Sequence, residues 1–343
     1  MQGARSRVHG AGHKENTLRS VPQALRPHYW AEESIPAMTY IFGPVPSRRL
    51  GLSLGVDLTP YKTCTYDCLY CQLGKTTCKR AEPGPIVSIG EILEELQLRL
   101  QWVTPDFVTL SGSGEPTLHS QMDQVISRVK NLTGIKVAVL TNGSLLWRGE
   151  VRTRLVSADL VMPTLSTAFE ETFRAIHRPH PDLHLPMIIE GMRHLRAEHR
   201  GELFLEVMLL AGLNDSDMEV EGLKRVIEEI CPDRIQLNTV VRPPVDSRAM
   251  PLDRQRLEEI KNFFGSEAEI IADIPPGQKP QQIVSSAHAI MDMAQRRPVR
   301  AIDIANGLNL PMKEVEEILK GLVLRGSLRR REHLGEVYYS EAE

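Results

Sequence analysis

Between about residues 50 and 275 the sequence alternates short apolar runs with amphipathic segments, and this alternation is the feature that most constrains the fold. We predict strands at 53–58, 107–110, 137–140, 160–165, 203–210 and 234–241, with a further short strand at 268–272. Helices are predicted at 88–103, 122–132, 169–176, 185–198, 216–230 and 252–263. Strands that alternate with helices form a parallel sheet. Six such units are too few for a closed eight-stranded barrel, so we predict a partial (β/α)6 TIM barrel, open at one side to admit a large substrate.

The two ends of the chain have a different character. Residues 1–37 show no sustained periodicity, and we predict a disordered extension there. A Pro/Gly-rich stretch at 275–280 interrupts the alternation and predicts a linker. Beyond it we predict helices at 281–295, 300–307 and 311–325, then strands at 326–332 and 335–340. Three helices and a hairpin are the order of a winged helix, so the predicted domains are a barrel over 38–275 and a small C-terminal winged-helix domain over 281–343.

Charge, hydropathy and cysteine usage exclude several classes of protein. The formal net charge of -3 over 343 residues excludes a bulk polycation that coats nucleic acid, although local basic patches stay open. The longest apolar runs are strand-length, well below the ~20 residues that a membrane-spanning helix needs. The first 37 residues contain no apolar core typical of a secretory signal. Five cysteines, three of them within eight residues, do not form a secreted disulfide framework. We therefore expect a cytoplasmic protein without membrane contact.

The three clustered cysteines, Cys64, Cys68 and Cys71, indicate a metal site in the loop after the first predicted strand. Soft thiolates select Zn, Cu(I) or iron–sulfur clusters. Zinc usually takes a second ligand pair at a similar spacing, and neither Cys78 nor Cys231 supplies one. Three cysteines can instead bind three corners of a cubane cluster, which leaves the fourth iron open to a substrate or cosubstrate. The spacing alone favours the cluster and leaves zinc as the alternative.

The spacing C-x3-C-x2-C, with Tyr70 just before the last cysteine, resembles the signature of the radical S-adenosylmethionine (SAM) superfamily. The resemblance implies that Cys64, Cys68 and Cys71 ligate one [4Fe–4S] cluster and that SAM chelates its open iron. It also implies reductive cleavage of SAM into methionine and a 5′-deoxyadenosyl radical, which abstracts hydrogen from a substrate. The electrons would come from a reductant such as flavodoxin or ferredoxin.

Polar loops at the C-terminal ends of the predicted strands are similar to the SAM-binding motifs of the same superfamily. Barrel enzymes keep their sites at these strand ends. After the second strand, Ser113-Gly-Glu-Pro116 resembles the Gly-Gly-Glu-Pro motif that binds the SAM amino group. The SAM contacts that the resemblance implies are Gly114, Glu115, Pro116, Thr141, Asn142, Ser166 and Asn214. Each Ser, Thr or Asn among them could instead cap a turn or a helix.

Other polar residues are candidate contacts for SAM or substrate. Glu206 and Asn238 lie inside predicted strands, so we expect them to face the barrel lumen. His177 and Arg178 form a cationic run that could bind an anion or lie in solvent, and Arg242 lies in another basic loop on the same face.

The stretches 42–51 and 62–72 resemble a prokaryotic group of radical SAM proteins related to wyosine (tRNA 4-demethylwyosine) synthases. Those synthases carry additional cysteines before the radical SAM motif, whereas this chain has none before Cys64, so the substrate stays open. From Arg296 to Arg331 there are nine Lys+Arg against four Asp+Glu, which suits phosphate contacts by the winged helix. Three hypotheses follow: a radical SAM enzyme acting on RNA, one acting on a protein or small metabolite, and an iron–sulfur redox-sensing transcriptional regulator.

Overall fold

The main sheet of the protein has eight strands, seven of them parallel. The computed structural model describes residues 40–47, 49–101, 103–272, 286–308 and 310–342. The strands of its first part are β1 (Ile41–Ser47), β2 (Gly51–Val56), β3 (Thr63–Cys64), β4 (Cys78–Lys79), β5 (Phe107–Leu110), β6 (Lys136–Thr141), β7 (Leu160–Pro163), β8 (Glu202–Leu209), β9 (Arg234–Thr239) and β10 (Ala268–Ile270). The order in the large sheet is β1-β2-β5-β6-β7-β8-β9-β10, and β3 pairs with β4 in a small separate sheet.

Helices connect the parallel strands, as the sequence predicts. They are α1 (Ile89–Leu100), α2 (Met122–Thr133), α3 (Gly149–Leu155), α4 (Glu170–His177), α5 (Leu185–Glu198), α6 (Asp217–Ile230) and α7 (Arg254–Phe264). The α/β class, the six strand–helix units and the seventh short strand β10 are confirmed. The elements that were not predicted include α3, the two-residue strands β3 and β4, and the strand β1, which pairs antiparallel with β2. The predicted disordered extension at 1–37 and the predicted linker at 275–280 lie outside the described residues.

The C-terminal segment contains the helices and the hairpin that the sequence predicts. They are α8 (Ser286–Arg296), α9 (Ala301–Leu308), α10 (Met312–Leu324), β11 (Leu328–His333) and β12 (Glu336–Glu341). We call residues 286–342 the C-terminal module. Its apolar side chains, among them Ile290, Ile304, Val315 and Leu319, form a small core of their own. The larger core lies between the parallel strands and the helices α1–α7.

The C-terminal module packs on the side of the barrel that the sequence predicts to be open. Helices α8 and α9 contact the edge strand β1. At the other end of the sheet, the Tyr338 hydroxyl donates a hydrogen bond of 2.6 Å to the carbonyl oxygen of Val241, just after β9. The module therefore contacts both β1 and the segment that follows β9. The opening that admits a large substrate stays a prediction.

A buried ion pair joins the module to the barrel. The Arg296 guanidinium at the end of α8 binds the Asp57 carboxylate, and their side chains are only 9% and 3% exposed. Arg296 also donates a hydrogen bond of 2.9 Å to Ser113 Oγ in the loop after β5. A second pair, Arg99 with Asp292 at 2.6 Å, lies nearby. None of the helices in the described part of the chain is both long and apolar enough to cross a membrane.

Candidate active site

The three clustered cysteines lie in the loop that begins at β3, and all three are free and partly exposed. Each sulfur lies near one nitrogen of another side chain: Lys62 Nζ is 3.0 Å from Cys71 Sγ, Asn142 Nδ2 is 3.5 Å from Cys64 Sγ, and His177 Nδ1 is 3.3 Å from Cys68 Sγ. Hydrogen bonds to cysteine sulfurs are one means by which proteins tune iron–sulfur clusters. The loop therefore presents three sulfurs that are already oriented and polarised by their surroundings.

Burial is the main influence on the pKa values of the groups around these sulfurs. Burial is the largest cause that raises the pKa of the Cys64 thiol, to about 12, and burial also raises the pKa of Cys68 well above its usual value. Both thiols would hold their protons at neutral pH unless a cation replaced them. Burial is the largest single influence on Lys62 and lowers its pKa, but the three cysteine sulfurs together, Cys71 foremost, outweigh it and the net shift of the pKa is upward, so Lys62 stays charged. Burial lowers the pKa of His177 to about 3, so its imidazole is neutral.

The arrangement fits a cubane cluster. Among the described residues, no three His, Cys, Asp or Glu side chains are placed as ligands of a single metal ion. A [4Fe–4S] cluster is held differently, because each cysteine ligates its own iron at a separate corner. Cys71 lies at the wall of a large cavity, so a cluster in this loop would have a neighbouring space for a ligand.

Glu115 connects the loops that follow β5 and β6. Its carboxylate is 2% exposed. Oε1 accepts hydrogen bonds from Thr117 Oγ1 at 2.5 Å and Thr141 Oγ1 at 2.6 Å, and Oε2 accepts one from the Asn142 amide at 2.7 Å. Burial raises the pKa of Glu115 in spite of these donors. Both oxygens are thus engaged by the chain itself, and the predicted contact with the SAM ammonium would have to share them.

Gly114 packs directly against the cysteine loop. The Glu115 amide donates to the Thr63 carbonyl oxygen at 3.1 Å, and the Lys62 amide donates to the Ser113 carbonyl oxygen at 2.8 Å. A Cβ at Gly114 would collide with that same Thr63 oxygen. The sequence suggests that this glycine allows a ligand to approach, whereas the structure also gives it a packing reason. Pro116 is buried and begins a short 3-10 helix after Glu115.

Ser166 and Asn214 form a separate pair at the ends of β7 and β8. The Asn214 amide is fully buried and donates to the carbonyl oxygens of Ser166 at 2.7 Å and Met208 at 2.8 Å. Ser166 Oγ is buried and has no hydrogen-bond partner in the described structure. The structure therefore brings Glu115, Thr141 and Asn142 together beside Cys64, while no hydrogen bond between described residues joins the Ser166 pair to them.

A cavity of about 360 Å³ opens beside the cysteine loop. Tyr70 and Cys71 form one side, and Glu206 and Asn238 point into it from β8 and β9, as the strand pattern predicts. Another part of the wall comes from the C-terminal module, through Arg297, Asp303 and Asn306. Glu206 is paired with the Arg49 guanidinium and accepts a hydrogen bond of 2.9 Å from Asn238. The volume of the cavity, about 360 Å³, is within the range typical of small-molecule sites.

The structure shows how the predicted basic residues His177 and Arg178 are placed. Arg178 pairs with Asp246 at 2.5 Å, so its charge is matched within the chain. The His177 imidazole is buried beside Cys68 Sγ and is neutral, because burial lowers its pKa. Sequence reasoning missed Lys62 as a donor to Cys71, and it missed the pairing of Arg296 with Asp57. The only signal for Lys62 was its position two residues before Cys64, and no local pattern marked Arg296.

Comparison with known proteins agrees with this geometry. Residues 58–221 match the Radical SAM superfamily. Among solved structures, a radical SAM methyltransferase from Sphaerobacter thermophilus superimposes with a TM-score of 0.50 at 17% identity, covering 64% of this chain and 66% of that chain. At this identity the likeness shows the fold alone.

Among curated relatives, a protein of Brachyspira hyodysenteriae named GTPase Obg is 36% identical over 319 residues. That match covers 92% of this chain but 47% of the relative, so the chain spans about half of its length. A UPF0026 protein of Methanocaldococcus jannaschii is 30% identical over 312 residues, covering 88% of this chain and 96% of the relative. The cysteine loop lies within the residues that match the Radical SAM superfamily, whose members use a [4Fe–4S] cluster and SAM. The chain is therefore a radical SAM enzyme and belongs to the UPF0026 family.

Proposed function

We propose that the enzyme holds a single [4Fe–4S] cluster through Cys64, Cys68 and Cys71, and that it acts on a substrate bound in the adjoining cavity. The observation that carries this proposal is the cysteine loop itself, in which three sulfurs each have a nitrogen partner and one of them borders the cavity. Together, the cluster and SAM supply one-electron cleavage of SAM to methionine and a 5′-deoxyadenosyl radical that abstracts hydrogen from the substrate.

The chain's own residues orient these groups. Lys62, Asn142 and His177 hold the three sulfurs and polarise them. Glu115 fixes the loops after β5 and β6, so Thr141 and Asn142 keep their places beside Cys64. We assign the SAM site to these loops. The residues concerned are Gly114, Glu115, Pro116, Thr141, Asn142, Ser166 and Asn214.

Two residues within this site have different roles. Asn214 acts as a positioning residue, because its amide is used by backbone carbonyl oxygens. Ser166 Oγ, which no side chain engages, is a group that could reach SAM directly.

The reaction consumes an electron, so the enzyme needs an external one-electron donor. A flavodoxin- or ferredoxin-type protein fits the superfamily, and dithionite can replace it in the laboratory.

The test is anaerobic formation of 5′-deoxyadenosine, measured by mass spectrometry after reconstitution with iron and sulfide and addition of SAM and dithionite. The wild type and Cys231→Ala should both form it, because Cys231 is exposed at the end of α6. Cys68→Ala should form none. Equal deoxyadenosine from Cys68→Ala and the wild type would refute the assignment.

The second candidate is a radical SAM enzyme whose substrate is RNA. In this proposal the C-terminal module is a winged helix that binds the RNA. The order of three helices and a hairpin supports this reading, as do Arg330 and Arg331, which are exposed on β11. The resemblance to wyosine synthase-related proteins points the same way. If RNA is the substrate, bulk tRNA should stimulate deoxyadenosine formation, and Arg330→Gln with Arg331→Gln should remove the stimulation. A protein or small metabolite as substrate predicts no effect of tRNA.

A further inference from the structure

Arg242 is a cation in the cavity wall that forms no salt bridge with a carboxylate in the described structure. It lies just after β9, and its one hydrogen bond to a described residue is a long one, 3.4 Å, from Nη1 to the Gln72 side-chain oxygen. Desolvation is the largest influence on the group and lowers the pKa of Arg242. An arginine side chain nevertheless keeps its charge in proteins. Guanidinium groups removed from water ordinarily bind a carboxylate or phosphate in a forked pair of hydrogen bonds.

The nearby carboxylates are already used by other arginines. Asp303 binds the Arg300 guanidinium through both oxygens, at 3.0 Å and 3.1 Å. Glu206 binds the Arg49 guanidinium across the cavity. The Asp303 charge favours the Arg242 cation, whereas the charges of Arg300 and Arg49 oppose it. The cavity lining contains three arginines, Arg49, Arg242 and Arg297, against two carboxylates, Glu206 and Asp303, so its formal charge is net positive.

The C-terminal module forms part of the cavity wall. Asp303 and Asn306 of α9, together with Arg297, form the wall that faces the cavity. The Tyr338 hydroxyl binds the carbonyl oxygen of Val241, the residue before Arg242, and so holds the module against this segment. A cavity of about 360 Å³ with such a wall suits a small molecule better than a folded nucleic acid.

We propose that Arg242 binds an oxyanion, a carboxylate or a phosphate, of a small-molecule substrate, in the cavity whose wall includes residues of the C-terminal module. This inference rests on the proposed function, because it takes the cavity beside Cys71 to be the substrate site. It assigns the module a role as part of the substrate site, whether or not its outer surface binds a partner.

The experiment uses calorimetric titration of the full-length, cluster-reconstituted, SAM-loaded enzyme with inorganic phosphate and, separately, with succinate, anaerobically and at low salt. The wild type should bind one of the two probes at one site. Arg242→Gln should weaken that binding about tenfold or more, as expected when a hydrogen bond to a charged group is lost. Arg248→Gln is the matched control: Arg248 is on the same segment, exposed, and paired with Asp246, so its loss should leave the affinity unchanged.

The choice of probe identifies the anion, since phosphate dependence indicates a phosphorylated substrate and succinate dependence a carboxylate. Equal binding by wild type and Arg242→Gln, or no binding of either probe, would overturn the proposal. The proposal would also be overturned if Arg242→Gln weakened the binding of SAM but not of the probe, because Arg242 would then bind the SAM carboxylate. Bulk tRNA that displaces the probe from the wild type would overturn the small-molecule assignment. The titration requires no SAM cleavage, so its failure is distinct from absence of deoxyadenosine, which would contradict the proposed function itself.

Discussion

The buried pair between Arg296 and Asp57 should hold the C-terminal module on the barrel, and Arg296→Met tests this directly. The change removes the guanidinium and leaves the Asp57 carboxylate, 3% exposed, without its cation. Removing one partner of a buried ion pair typically costs about 3–5 kcal/mol. An exposed pair contributes only about 0–1 kcal/mol, so Arg225→Met, whose contact with Glu221 is 3.8 Å long on the surface of α6, is a suitable control.

The pH dependence of this loss has a definite sign. Burial raises the pKa of Asp57 and Arg296 opposes that rise, so the pKa in the variant rises further in the folded state only. A carboxyl group whose pKa is raised by folding destabilises the folded state above its unfolded pKa of about 3.9, and the penalty grows until the folded pKa is reached. The variant should therefore lose more stability at about pH 8 than at about pH 5.

Urea unfolding followed by circular dichroism, at both pH values, measures these free energies. The double variant Asp57→Asn/Arg296→Met should recover part of the loss, because no unpaired carboxylate remains in the interior. A loss in Arg296→Met no larger than that in Arg225→Met, or a loss independent of pH, would show that the pair does not hold the module.

Two further substitutions test the surroundings of the cysteine loop. Lys62→Met removes the ammonium that donates to Cys71 Sγ. Loss of this positive charge should lower the midpoint potential of the cluster by on the order of 60 mV, the one-electron equivalent of about 1.4 kcal/mol, in an EPR-monitored redox titration. An unchanged or higher potential would contradict the role of Lys62. Gly114→Ala should displace the loop from the Thr63 carbonyl oxygen, which should lower the free energy of unfolding in urea by about 1–3 kcal/mol and reduce the iron content after reconstitution. Gly321→Ala in α10 is the control, because a Cβ there meets nothing within 4 Å and the change should be neutral or slightly stabilising. Equal effects of the two glycine substitutions would refute the packing argument.

Much of the barrel could be predicted because its strands and helices have clear periodicities. The strand β1 escaped prediction because it contains Pro44, which cannot donate to a ladder and is tolerated in an edge strand such as this one. Helix α3 escaped because it is short and has only two buried apolar residues, Val151 and Leu155. In both cases pairing or packing with distant residues decides the structure, and a local pattern does not record it.

The candidate site was predictable to a similar degree. The cysteine spacing and the loop at Glu115 are local motifs, so the sequence predicts that they lie at one end of the barrel, and the structure joins them through Asn142. The pairing of Arg296 with Asp57 spans 239 positions and has no local signature. His177 looked like a surface cation, but burial makes it neutral. Burial of a charged or polar residue is a property of the fold, which single-sequence patterns do not report.

The central claim is that the three clustered cysteines hold the cluster. Its most direct test is the iron and sulfide content and EPR spectrum of the reconstituted protein after single cysteine substitutions. Cys64→Ala, Cys68→Ala and Cys71→Ala should each fall well below the content of the wild type, about four irons per chain, while Cys78→Ala and Cys231→Ala should match it. A full cluster with a wild-type spectrum in Cys68→Ala would contradict the account.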